Sequence, residues 1–208
     1  MKRRPRDFVS LFNAFWYRDF PITPDRIDIS RRALWTTHIA STVKQAADHL
    51  GLYTCFETGG KTDAVIQDSN SKAWAKVEWE WSQPRSEKVN EIQKLALAKD
   101  DADVFIFISY SRTDNNSHKS NLDAIAQQWK DISKPLLVFL VTFSYSKKRR
   151  HFEQIQTHLF GANNHKMLRK QEALPWDVLG TKWSAMIASR NNYGTSTDSL
   201  NQAVEELG

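Results

Sequence analysis

Asp63, Glu78, Glu80 and Lys76 crowd together within residues 61–81, KTDAVIQDSNSKAWAKVEWEW. The stretch reads as two short strands joined by the polar turn Asp68-Ser69-Asn70-Ser71. Successive strand side chains take opposite faces, so Trp74, Lys76, Glu78 and Glu80 form one row and Val77, Trp79 and Trp81 the other. Asp63, near the start of the first strand, lies beside the acidic row if the two strands pair as a hairpin. Like charges held this close repel, and a divalent cation would relieve the cost. A solvated strand face also alternates lysine and glutamate, so the row gains its meaning from Asp63 and from the elements around it.

Those elements begin with an amphipathic helix over 7–20, where Phe8, Leu11, Phe12, Phe15 and Trp16 recur at helical spacing before Pro21 and Pro24. A longer helix runs from Asp28 or Ser30 to Leu50, with Trp35, Ile39, Val43, Ala46, Ala47 and Leu50 as its apolar stripe and Gly51 as its C-cap. Three strands follow, 52–57, 62–67 and 73–81, the first two separated by Gly59-Gly60. A helix is expected over 86–99 with Ser86 as N-cap, a buried strand over 103–110, a helix over 121–132 and a second buried strand over 135–145. A strand, helix, strand run of this kind implies a parallel pair. After Ser146 the periodicity weakens: 151–160 reads as a helix through Phe152, Ile155 and Leu159, and 176–188 as another. The fold class is α/β, helices packed around a mixed central sheet. One domain spans 1–190 with its core at about 31–145, and 191–208 forms a linker and short terminal helix.

The totals narrow the setting. The net charge is +5, compatible with a polyanionic partner. Cys55 is the only cysteine, which excludes an internal disulfide and a cysteine-based zinc cluster and suits a reducing cytoplasm. No apolar run approaches the ~20 residues of a membrane span. A soluble cytoplasmic protein is expected.

The element order, with Asp63 opening the second strand and Glu78 in the third, resembles the PD-(D/E)xK nuclease superfamily, which includes restriction endonucleases and DNA-repair nucleases. Thr62-Asp63 stands where that family has Pro-Asp, and Glu78-Trp79-Glu80 where it has acidic-x-Lys. The resemblance covers about 31–145. It implies a restriction-endonuclease-like sheet, DNA as substrate, Mg²⁺ or Mn²⁺ as cofactor, and a homodimer as a candidate assembly. Two departures stand out: Glu80 replaces the lysine, and the helix before the meander has no central acidic residue, for which Glu57 is a candidate substitute.

Phosphodiester hydrolysis asks for these residue types on its own account. It needs an activated water and neutralisation of a doubly charged transition state, which Mg²⁺ on one or two carboxylates provides. Asp63 and Glu78 are the expected ligands, with Glu80 as a further ligand or as general base. Lys76 is the expected stand-in for the missing lysine, with Lys88 and Lys94 as other sources. Arg85, Lys88 and the cluster Lys147, Lys148, Arg149 and Arg150 are expected to meet the phosphate backbone. Trp74, on the glutamate face, is the one tryptophan placed to stack on a base. A second resemblance is to the opening strand of a TIR domain, carried by residues 102–112, ADVFIFISYSR, and it implies NAD cleavage or signalling. The remaining alternative is a nuclease-like domain that binds nucleic acid or protein without catalysis.

Overall fold

The computed structural model describes residues 5–21, 31–58, 62–146 and 149–189. The chain parts into two compact units, Met1–Ala173 and Leu174–Gly208. The first contains α1 (Pro5–Arg18), α2 (Arg32–His49), β1 (Tyr53–Thr58), β2 (Thr62–Gln67), β3 (Ala73–Glu80), α3 (Glu91–Leu97), β4 (Val104–Arg112), α4 (Ser117–Trp129), β5 (Leu136–Ser146), β6 (Arg149–Gly161) and β7 (Asn164–Glu172). The strands form one mixed seven-stranded sheet in sequence order. β1 to β3 are an antiparallel meander, β3 to β5 are parallel, and β5 to β7 are antiparallel again. The class is mixed α/β. Among the described residues no helix is long and apolar enough to cross a membrane.

Each face of the sheet takes two helices, because the inner strands are apolar on both sides. On one face Phe12 of α1 packs 4.1 Å from the Phe139 ring of β5, and Trp35 of α2 stacks at 4.1 Å on Tyr110 of β4. On the other, Ile92 and Leu95 of α3 and Ile125 and Trp129 of α4 close over Phe105, Phe107 and Val138. Gly51, at φ +67°, ends α2 as expected, with the Leu52 N–H returning to the Ala47 carbonyl.

Four local expectations are corrected. The segment after β3 stays non-helical until Glu91, because the Arg85 N–H is tied to Asn121 Oδ1 and the Arg112 N–H to Gln83 Oε1. Trp74 does not share the glutamate face. The β2–β3 pairing steps from Ile66↔Ala75 to Gln67↔Ala73, so Trp74 is the extra residue of a β-bulge. It turns onto the α1 side, 5.8 Å from the Phe8 ring.

Residues 151–160 belong to a strand rather than a helix. Val141 pairs with Ile155 and Phe143 with Phe152, a second bulge that puts two apolar residues of helical spacing on one strand face. The string resembling a TIR opening is β4, an interior strand with parallel neighbours on both sides, and it does not open the fold. β7, a mostly exposed and basic edge strand, carries no apolar alternation in its sequence.

In the second unit a 3₁₀ turn covers Pro175–Asp177 and 182–189 is helical. The Gly59-Gly60 turn, the helix start at 28–30 and the linker and helix of 191–208 lie outside the described residues.

Candidate active site

The β2–β3 register builds the site. Ala64 opposes Val77, which sets Asp63 beside Glu78 on the face that carries α3. The Trp79 N–H donates to Asp63 Oδ2 at 2.8 Å. Glu78 is only 1% exposed, and its carboxyl hydrogen-bonds Asp63. Burial, then the neighbouring Asp63 charge, pushes the Glu78 carboxyl up to about 8. Burial also raises Asp63, although the Trp79 N–H works against it. Near neutral pH the pair therefore shares a proton, with Glu78 as the donor.

A lysine does reach this pair, from α3. Lys94 Nζ lies 3.8 Å from Glu78 Oε2 and 3.4 Å from Glu91 Oε1. These carboxylates outweigh desolvation and hold the ammonium above its ordinary range. Lys76, expected in that role, is buried and held by Asp101 at 2.7 Å. Glu80 lines the same cleft, but its Oε1 accepts the Ser82 N–H at 2.8 Å. The cleft has a volume of about 220 Å³, and its wall includes Arg32, Thr36, Asp63, Glu78, Glu91 and Lys94. Among the described residues no three His, Cys, Asp or Glu side chains form a metal-ligand group. The carboxylate pair is thus the site's acidic centre, and Glu80 lines the cleft without joining it in a three-ligand group.

Arg32 and Glu91 are absent from the sequence reading. The only signal for Glu91 was its i,i+3 spacing to Lys94 early in a helix. Arg32 gave none beyond its place at a helix start.

The basic residues are dispersed. Arg85 is exposed and donates from Nη2 to Ser117 Oγ at 3.2 Å, and Lys88 is exposed. Arg150 lies with its guanidinium 4.8, 4.9 and 4.7 Å from the ring centroids of Trp81, Tyr110 and Phe143. Lys147, Lys148 and the Arg149 side chain lie outside the described residues.

A second titratable cluster sits apart from the carboxylates. His158 Nδ1 is 2.9 Å from His165 Nε2, and Gln156 Oε1 bridges His158 and His118. Burial lowers His158 to about 3.

No family model matches the sequence, and no curated protein matches it. The chain is distantly similar in structure to the YaeQ protein from Pseudomonas syringae, with a TM-score of 0.32 and 8% identity over 71% of this chain and 80% of that one. The YaeQ protein from Xanthomonas axonopodis pv. citri gives 0.31 and 9%, over 67% and 78%. A carbon-nitrogen hydrolase from Helicobacter pylori G27 gives 0.35 and 12%, over 76% and 70%.

Proposed function

We propose that the protein is a metal-dependent phosphodiesterase acting on DNA, with Asp63 and Glu78 as the metal-holding pair. The observation that supports this most is the convergence of the two carboxylates from adjacent strands, with the Lys94 ammonium 3.8 Å from Glu78. The order α2, three-stranded meander, α3, parallel β4 is the order of a restriction-endonuclease-like core, and it supports the same reading.

The site's chemistry fits Mg²⁺ or Mn²⁺. A buried and a half-buried carboxylate that share a proton are a place where a divalent cation replaces that proton at a gain. Two such ligands suffice for Mg²⁺, which keeps its other positions for water and phosphate oxygens. When bound, the cation would supply charge neutralisation and a more acidic water. Lys94 holds a positive charge where the phosphate gains negative charge, the role for which Lys76 was expected. The Trp79 N–H fixes the rotamer of Asp63 and favours its ionised form. Glu80, with one oxygen engaged at Ser82, keeps the other to accept a proton from water.

The test is cleavage of plasmid and single-stranded DNA with Mg²⁺ or Mn²⁺. Asp63→Ala and Glu78→Ala, with far-UV circular dichroism unchanged, should lose about 100-fold or more of the rate. DNA binding without cleavage, indifferent to both substitutions, would assign the domain to binding instead.

A further inference from the structure

A larger cleft, of about 460 Å³, opens beside the first and shares the Trp81 wall with it. Ser82, Gln83, Arg85, Ser86 and Arg150 line it, and no carboxylate does. Among the described residues neither arginine has an acidic partner. Arg150 lies against its three rings with Nη1 buried and without a hydrogen-bond partner.

A half-buried cation without a counter-ion is costly, and the ring faces offset that cost only in part. An anionic group in the cleft would complete the balance. The loop that carries Arg85 is already fixed: its backbone N–H is held by Asn121 Oδ1, which lowers the ordering cost of binding. Gln83 Oε1 is taken by Asn121 Nδ2 and the Arg112 N–H, so its amide nitrogen is the end left to donate. The volume lies in the range of small-molecule sites and exceeds what a bare phosphate fills.

We propose that this cleft is a nucleotide subsite, holding a phosphate and its attached nucleoside on Arg85 and Arg150 beside the Asp63–Glu78 pair. The inference rests on the phosphodiesterase reading and adds to it the position of the neighbouring nucleotide. Positive side chains give phosphate affinity, while the polar groups of Ser82, Gln83 and Ser86 suit sugar hydroxyls and base edges.

The experiment is calorimetric titration of the full chain, without added metal, with thymidine 5′-monophosphate, thymidine and inorganic phosphate. The monophosphate should bind saturably and about ten-fold more tightly than either fragment. Arg85→Ala should weaken it about ten-fold or more, with Arg85→Lys in between. Equal binding of phosphate alone, or indifference to Arg85→Ala, would overturn the subsite. Cleavage by a protein that fails this titration would sink the subsite and leave the hydrolysis reading intact. Nucleotide binding by a protein that never cleaves DNA would do the reverse.

Discussion

Lys76 and Lys94 were both candidates for the lysine that Glu80 displaces, and Lys94 is the one that lies beside the carboxylate pair. Lys76 shares the glutamate face, but Asp101 holds it, while Lys94 arrives from the next helix. Lys94→Ala should therefore lower the cleavage rate by about 100-fold with little change in melting temperature. Lys76→Met should leave the rate within about three-fold and change stability by about 1 kcal/mol or less, since its partner Asp101 is exposed. Parallel rate and thermal-melt measurements on both variants check this; equal rate losses would show that Lys76 acts at the site. The pairing of Asp63 with Glu78 was legible because strict alternation and a short turn leave few registers. Glu91 was not, since nothing in a sequence marks the angle at which a helix crosses a strand.

At the scale of elements, the readable parts are those where one periodicity runs unbroken. β2 has the bounds its sequence suggests, Thr62–Gln67. The misread parts are those where a bulge or a tertiary tie breaks the period. One extra residue at Trp74 sends an indole into the α1 packing while Lys76, Glu78 and Glu80 keep their side of the sheet. Trp74→Ala should accordingly cost about 3–5 kcal/mol in urea unfolding and leave DNA affinity unchanged. A loss of affinity without a loss of stability would return Trp74 to the nucleic-acid surface. In β6 the bulge opposite Val141 and Phe143 gave strand residues a helical spacing. The 82–90 segment has helix-compatible residues but is fastened at Arg85 to Asn121. The Ser86 and Val89 N–H groups close only single turns, on the Gln83 and Ser86 carbonyls.

At the scale of the whole molecule, two groups of buried residues pull the pH dependence of stability in opposite directions. Burial lowers His38 to about 4 and His158 to about 3, from 6.5. The unfolded chain therefore binds more protons than the native one below pH 6.5, and stability rises with pH through that range. Glu78 has the opposite sign: raised from 4.5 to about 8, it holds a proton in the native state that the unfolded chain has lost. Stability falls as pH climbs toward 8. Between 4.5 and 6.5 the two oppose each other, and from 6.5 to 8 Glu78 acts without the histidines. Thermal melts should show a maximum near pH 6.5, and Glu78→Gln should flatten the decline above it. A decline that survives the substitution would place its source elsewhere.

The shared proton also has a stoichiometric consequence. A cation that takes its place must expel it, so metal uptake by this site is an acid-producing event. Near pH 7, Mg²⁺ or Mn²⁺ binding should release about one proton per chain. Calorimetric heats would then scale with the ionisation enthalpy of the buffer. Well above pH 8, where the Glu78 carboxyl has lost its proton, that dependence should fade and the affinity should stop rising with pH.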